Sequence, residues 1–245
     1  MNLEQFIEQA EQKCEQSFKE IDKIVFKNQQ KILDAFRECR IGLQHFNGST
    51  GYGYGDSGRE KLYGLYAKVF KTPKALVSPH IMSGTHALSL CLYGILRPGD
   101  LMVSITGKLY DTLEEIVFKP GNGSLKDFGI KYHQIELKNG DFDFDAIKEF
   151  LTNNNAKLVF IQRSRGYEWT NARSIAQIKT ACEFVKKVSP QSIIMIDNCY
   201  GEFVDIYEPY EVGADLFAGS LIKNPGGGIA PTGGYVCGRE DFVDM

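Results

Sequence analysis

The segment around Lys223 carries the most specific chemical signal in the sequence. Lys223 lies between a short apolar run and the triglycine 226–228. A lysine in dry surroundings can hold a neutral amine, which forms a Schiff base with an aldehyde. A solvated lysine is the more common case, but surface lysines rarely have so apolar and glycine-rich a context. We therefore predict that Lys223 is chemically functional.

Two further segments could bind an anion and a cation. Gly84 and Thr85 open a helical pattern after Ser83, so free N–H groups and a hydroxyl could bind a phosphate. This segment lacks the Gly-Lys-Ser/Thr of a P-loop and the remaining glycines of a dinucleotide fingerprint. Asp197 follows the apolar run 193–196, where a carboxylate could pair with a cationic ring nitrogen. Helix capping and a simple Asx turn are the respective alternatives.

Aromatic and basic residues follow two other strand-like runs. Tyr110 comes after the run 101–105 and could stack on a planar ligand, or pack in the core. Arg163, Ser164 and Arg165 follow the run 157–161 and could recognise an oxyanion, or form a solvated basic loop.

Together these segments meet the requirements of a pyridoxal 5′-phosphate site. The phosphate needs an anion-binding turn, and the ring needs an aromatic face. The ring nitrogen needs an acid, and the aldehyde needs a lysine. The sequence supplies all four, with Lys223 following Asp197 by 26 positions. We therefore expect pyridoxal phosphate as the cofactor and no metal.

The elements that must position these residues alternate between helices and strands from residue 59 onward. Helical spacing covers 59–70, 85–96, 110–118, 144–151 and 174–188. Strand-like runs cover 75–78, 101–105, 130–137, 157–161, 192–196, 215–218 and 234–237. This alternation is typical of a mainly parallel sheet covered by helices on both faces. We predict a three-layer α/β/α domain that binds its ligand beyond the carboxyl ends of the strands.

The first 41 residues contain neither glycine nor proline, and their apolar residues recur at helical spacing. They predict one long helix, or two in succession, packed on the core. A membrane-surface helix is disfavoured because lysine and glutamate are mixed along the segment. The loop 48–58 follows, with five glycines around Tyr52 and Tyr54. It could approach a ligand or a second chain closely, or form a tight turn.

Composition excludes several classes of protein. The chain of 245 residues is 43% hydrophobic and 12% aromatic, which is typical of a folded protein. Its net charge of −3 gives no electrostatic reason to bind nucleic acid or an anionic membrane. The six cysteines form no Cys-x-x-Cys pair. They predict reduced, buried thiols of a cytoplasmic protein rather than disulfides or a zinc site.

Five motifs resemble fold type I pyridoxal-phosphate enzymes of the cystathionine lyase and methionine gamma-lyase kind. The sequence is similar in particular to the bacterial family labelled aluminium resistance protein or methionine gamma-lyase-like. The motifs are TGYGY at 50–54, SGTHA at 83–87, QRSRGY at 162–167, IDNCYGEF at 196–203 and GSLIKNPGGGIAPTGG at 219–234.

The resemblance implies a role for each candidate residue. Lys223 would be the Schiff-base lysine, and Asp197 would be the partner of the ring nitrogen. Tyr110 would stack on the ring and share the catalytic role with Lys223. The remaining cofactor-binding residues would be Gly84, Thr85, Ser164, Ser220 and, from a neighbouring subunit, Tyr54.

The resemblance also implies a carbon–sulfur lyase that acts on a sulfur-containing amino acid by β- or γ-elimination. We expect a homodimer or homotetramer with an N-terminal helical arm at 1–45 and a cofactor-binding domain at 46–245. Related lyases carry an arginine in the intersubunit loop, which Tyr52-Gly53-Tyr54 lacks. They also continue into a smaller C-terminal domain, which we expect to be missing from this chain.

Three alternatives to this lyase stay open. The first is an aminotransferase that uses the same cofactor. The second is a truncated chain that binds cofactor or other subunits without turnover. The third is a phosphate-ligand enzyme that does not use pyridoxal.

Overall fold

The computed structural model describes residues 2–49, 51–52 and 55–245. The helices in this part of the chain are α1 (Leu3–Glu38), α2 (Ser57–Val69), α3 (Gly84–Ile95), α4 (Asp111–Phe118), α5 (Phe144–Asn153), α6 (Ile175–Val188) and α7 (Glu240–Val243). The strands are β1 (Lys74–Ser78), β2 (Leu101–Ser104), β3 (Lys131–Gln134), β4 (Leu158–Gln162), β5 (Ile193–Asp197), β6 (Leu216–Ser220) and β7 (Gly234–Gly238). Short 3-10 helices occur at Leu43–Phe46, Pro209–Val212 and Asn224–Gly226.

The strands form one sheet in the order β1-β7-β6-β5-β4-β2-β3. β7 runs antiparallel to both of its neighbours, β1 and β6, and the other pairs are parallel. Side chains alternate between the two faces: Val159 and Ile161 join one hydrophobic cluster, whereas Leu158 and Phe160 join the other. The first cluster packs α2, α5, α6 and the end of α1, and the second packs α3, α4 and α7. The predicted three-layer α/β/α fold is therefore confirmed.

The central strands are buried along their whole length. β4, β5, β6 and β7 are buried at every residue, because helices cover both faces of the sheet. This explains why their sequences are continuous apolar runs rather than alternating ones. β4, β5 and β6 run parallel to one another, so their last residues lie at the same edge of the sheet, where the polar residues of the sequence begin. β7 runs the other way and ends at the opposite edge.

The N-terminal arm is one uninterrupted helix of 36 residues, which begins with a capping box between Asn2 and Gln5. Its last third packs on the body through Ile32, Ala35 and Phe36. The predicted packing on the core is found in this last third and not in the first two thirds. Apolar side chains are exposed there at Leu3, Phe6, Ile7, Phe18, Ile21, Val25 and Phe26.

Cys91, Cys182 and Cys237 are buried as predicted, but Cys14 lies on the exposed part of α1. No helix among the described residues is long and apolar enough to cross a membrane.

Candidate active site

A cavity of about 560 Å³ lies at the carboxyl edge of the sheet. Its walls come from the ends of β4, β5 and β6 and from the starts of α3 and α4. The cavity brings together every described residue to which the family resemblance gave a role at the cofactor: Gly84, Thr85, Tyr110, Ser164, Asp197, Ser220 and Lys223. Tyr54, the eighth predicted residue, lies outside the described residues.

The start of α3 forms one wall of the cavity. Ser83 caps the helix, and its hydroxyl accepts a hydrogen bond from the N–H of His86 at 3.1 Å. The next N–H groups, of Gly84 and Thr85, have no partner within the helix. A Cβ added at Gly84 would lie 2.6 Å from the Sγ of Cys199 and 3.3 Å from the Cβ of Ser220. Glycine therefore allows α3 to approach the end of β6 and leaves its N–H groups available to an anion.

Hydroxyl groups surround this helix start. The Thr85 hydroxyl lies 2.8 Å from the Tyr110 hydroxyl and 3.3 Å from that of Thr112. On the opposite side, the Ser220 hydroxyl accepts a hydrogen bond from the N–H of Ile222 at 3.1 Å. Backbone donors and hydroxyls that converge on a helix N-terminus suit a phosphate group.

Asp197 is a buried acid whose environment favours the neutral form. It is 2% exposed, and its Oδ1 accepts a hydrogen bond from the N–H of Cys199 at 3.0 Å. Burial raises the pKa of Asp197 to about 6, and this effect outweighs the electrostatic attraction of Lys223. A cationic ring nitrogen next to Asp197 would supply the missing positive charge.

Lys223 contacts an aromatic residue that the sequence analysis did not single out. Its Nζ donates a hydrogen bond to the hydroxyl of Tyr200 and lies 3.9 Å from the centre of the Tyr200 ring. The lysine is half-buried. The prediction of dry surroundings therefore holds only on one side, because the amine reaches an open cavity.

Tyr110 is held in place by the last residue of β4. Its N–H donates to the Oε1 of Gln162 at 3.2 Å, and the N–H of Gln162 donates to the hydroxyl of Thr106 at 3.0 Å. Burial raises the pKa of Tyr110, so its phenol keeps its proton at neutral pH. The side chain can therefore present both a ring and a proton to the cavity.

The prediction of an oxyanion site at Arg163 is wrong. Arg163 is 2% exposed and points into the protein, where it donates to the Oδ1 of Asn198 and the Oδ2 of Asp205, both at 2.8 Å. Arg165 is exposed and lines a neighbouring cavity of about 530 Å³, which shares Ser164 with the first. Both arginines also line a further cavity of about 340 Å³, but the Arg163 guanidinium is already paired with Asn198 and Asp205.

Sequence reasoning missed Cys199 and Tyr200, which both line the cavity. The N–H of Cys199 donates to Asp197, and its Sγ faces Gly84 at the start of α3. Both residues follow the end of β5 directly. The rule that ligand-binding residues follow parallel strands could have found them, had it been applied beyond the first polar residue.

Comparison with known proteins identifies close relatives. The sequence model of the methionine gamma-lyase family matches residues 3–245. The uncharacterised protein YnbB of Bacillus subtilis is 49% identical over 230 residues, which are 92% of this chain and 54% of YnbB. The crystal structure of a proposed cystathionine beta-lyase involved in aluminium resistance, from Listeria monocytogenes, superposes with a TM-score of 0.94 at 53% identity. The alignment covers 97% of this chain and 59% of the Listeria chain.

Two further structures extend the comparison. A carbon–sulfur lyase involved in aluminium resistance, from Clostridium novyi, has a TM-score of 0.92 and 48% identity, over 96% of this chain and 57% of its own. The pyridoxal-5′-phosphate dependent protein YhfS of Escherichia coli shares the fold at a TM-score of 0.67 and 15% identity, over 90% of this chain and 56% of YhfS. The fold is therefore that of the fold type I enzymes. The chain spans less than two thirds of the length of each of these relatives.

Proposed function

Because the chain belongs to the methionine gamma-lyase family, we propose that it functions as a pyridoxal-phosphate-dependent carbon–sulfur lyase acting on a sulfur-containing amino acid. One observation carries the proposal. A single cavity combines an open helix N-terminus at Gly84, a buried acid at Asp197 and the amine of Lys223. Two relatives whose names state carbon–sulfur or cystathionine lyase chemistry support the choice of reaction.

The residues of the cavity fit the proposed cofactor. The start of α3 would hold the phosphate, with hydroxyls from Thr85 and Ser220. Asp197 would neutralise the ring nitrogen, and Lys223 would bind the aldehyde. Tyr110 would cover one face of the ring, and Ser164 and the Tyr54 of a neighbouring subunit complete the proposed set.

The protein's own groups would move the protons of the reaction. When bound, the cofactor supplies an electron sink for the carbanion formed at the substrate's Cα. Once the substrate's amino group has replaced Lys223 on the aldehyde, the freed Lys223 amine would take the proton from Cα and return it to a neighbouring carbon. Tyr200 holds that amine within the cavity. Tyr110, whose phenol carries its proton at neutral pH, would donate a proton to the departing sulfur.

Cofactor attachment tests the proposal directly. We expect the purified chain to develop a visible absorption band with pyridoxal phosphate, and borohydride to fix the cofactor on the peptide that contains Lys223. Lys223→Ala should abolish both signals, because no other amine lines the cavity among the described residues. Lys108→Ala, in the neighbouring cavity, is the matched control and should keep them. A Lys223→Ala protein that retained the band would contradict the assignment.

Turnover is a separate measurement, because the chain spans only part of its relatives. Release of pyruvate or 2-oxobutyrate with ammonia from a sulfur amino acid would support the lyase. Turnover that requires a 2-oxo acid acceptor would instead indicate an aminotransferase. Cofactor attachment without turnover would indicate a cofactor-binding chain that is inactive by itself.

We also propose that the protein assembles as a homodimer or homotetramer in the cytoplasm. The exposed apolar residues of α1 support assembly, because an isolated chain would leave them in water. The cysteines of the described residues are free thiols, which persist in a reducing compartment.

A further inference from the structure

The segment from Tyr200 to Asp205, here called the 200–205 loop, has an unusual backbone. Tyr200 and Phe203 have φ values of +67° and +62°, although neither is glycine. Bulky side chains rarely adopt this left-handed conformation, and it persists only where surrounding contacts enforce it. The first residue of this loop holds the Lys223 amine. The contacts that hold the loop in this conformation therefore also determine the position of the Tyr200 hydroxyl, which is the hydrogen-bond partner of Lys223.

The N-terminal arm supplies two of these contacts, beside the ion pair between Arg163 and Asp205. Asn28 of α1 is 4% exposed, whereas most polar residues of this helix lie in solvent. Its Nδ2 donates hydrogen bonds to the carbonyl oxygens of Phe203 and Asp205, both at 3.0 Å. One buried amide thus satisfies two carbonyls of the strained loop.

The other side of the loop is tied to the lysine segment. The Nδ2 of Asn224 donates to the carbonyl oxygen of Glu202 at 2.9 Å. Asn224 directly follows Lys223, and Lys223 itself donates to Tyr200. The loop is therefore held between α1 and the catalytic lysine, with hydrogen bonds on both sides.

We propose that Asn28 is a positioning residue for Lys223. By holding the carbonyls of Phe203 and Asp205, it keeps the Tyr200 phenol against the Lys223 amine. Asn28 itself does not line the cavity. The inference rests on the proposed function, in which Lys223 captures an aldehyde. Through Asn28, the N-terminal arm would then influence how fast Lys223 reacts.

A comparison of two ligands that differ only in the aldehyde group distinguishes a positioning role of Asn28 from a general contribution to the stability of the fold. Pyridoxal phosphate can react with Lys223, whereas pyridoxine 5′-phosphate has a hydroxymethyl group there and can only bind. We expect Asn28→Ala, which removes both of these hydrogen bonds, to slow the covalent capture of pyridoxal phosphate roughly two- to tenfold, because part of their stabilisation acts on the position of Tyr200. The affinity for pyridoxine 5′-phosphate should stay at the wild-type value. A loss of both to the same extent would overturn the proposal.

Two further variants exclude indirect effects. Ala35→Gly destabilises the same helix at a buried position whose side chain forms no hydrogen bond to the loop, and it should leave the capture rate unchanged. Tyr200→Phe should slow capture by itself. If Asn28 acts through Tyr200, the double variant Asn28→Ala/Tyr200→Phe should be no slower than Tyr200→Phe alone. Additive losses, or an equal loss in Ala35→Gly, would contradict the inference.

Hydrogen exchange of the cofactor-free protein gives a readout that does not depend on the proposed function. Peptides covering 199–206 and 221–226 should exchange faster in Asn28→Ala, but not in Ala35→Gly. Unchanged exchange would show that Asn28 does not anchor the loop. If the wild-type protein failed to capture pyridoxal phosphate while exchange changed as expected, the proposed function would be wrong and the anchoring role of Asn28 would stand.

Discussion

A buried carboxylate at position 197 makes the protein less stable than it could be. Burial raises the pKa of Asp197 to about 6, above its ordinary value of 3.8. The folded state therefore favours the neutral acid more than the unfolded state does. The favourable contribution of Asp197 to the free energy of unfolding is fully present below pH ~4, and it is lost as the pH rises through about 6. A residue with this cost is typical of a functional site.

Replacing this acid by an amide should separate stability from function. We expect Asp197→Asn to stabilise the cofactor-free protein at pH 8 by up to about 3 kcal/mol, because the amide needs no charge in the interior. The gain should vanish below pH ~4, where both side chains are neutral. Urea unfolding at the two pH values measures this difference. Lower stability of the variant at pH 8 would contradict the argument.

The same variant should bind pyridoxal phosphate more weakly than the wild type. An amide cannot neutralise a protonated ring nitrogen, although it keeps the shape of the side chain. Asp111→Asn is the matched control, because Asp111 is an exposed acid that lines the same cavity. It should leave cofactor affinity unchanged. Wild-type affinity in Asp197→Asn would show that Asp197 does not pair with the ring.

Local sequence signals located most of the candidate site but not its internal partners. Asp197, Ser220 and Lys223 could be found because strand ends are visible as breaks in apolar runs. Arg163 was misjudged because its partner Asp205 lies 42 positions away, and only the fold brings the two together. A pattern of residue types cannot distinguish an arginine that binds a ligand from one that is paired inside the protein.

The elements themselves were predictable for the same local reason. Their apolar periodicity is a property of consecutive residues. The order of the strands is not, because β7 inserts between β1 and β6 and runs against both of them. Lys74 of β1, for example, pairs with Gly238 of β7, although most of the chain separates the two residues in the sequence. The sequence also could not show which part of α1 packs on the body, because the helical spacing of apolar residues continues along the exposed part of the helix.

Two helical glycines give a test at the level of the elements. Gly84 begins α3, where an added Cβ would lie 2.6 Å from the Sγ of Cys199, whereas Gly64 in α2 has open space around it. We expect Gly84→Ala to destabilise the protein by roughly 1–3 kcal/mol through crowding, and to weaken the binding of pyridoxine 5′-phosphate. Gly64→Ala should stabilise the protein by about 0.5–1 kcal/mol and leave binding unchanged. Urea unfolding and a binding titration would check both.

If Gly64→Ala were less stable than Gly84→Ala, α3 would not need its close approach to β6. If Gly84→Ala bound the ligand as well as the wild type, Cys199 could move aside without cost. The start of α3 would then not be a fixed phosphate site.

At the scale of the whole molecule, the N-terminal arm has a surface that the chain itself does not cover. α1 is about 54 Å long, and its first two thirds extend without packing on the sheet domain. Tyr52, in the loop that follows, is 94% exposed. Apolar side chains left in water along one helix favour contact with another subunit. In a two-fold symmetric dimer, any contribution of this region to the partner's site would be reciprocal.

Mixing two inactive variants tests whether the loop 48–58 serves the partner's site. One chain carries Lys223→Ala, and the other carries Tyr54→Phe. If Tyr54 acts across the interface, each mixed dimer has one site with both changes and one site with neither. Mixed dimers should then regain capture of pyridoxal phosphate at concentrations where neither parent captures it. No recovery, in samples where mass spectrometry shows that mixed dimers have formed, would mean that Tyr54 serves its own subunit.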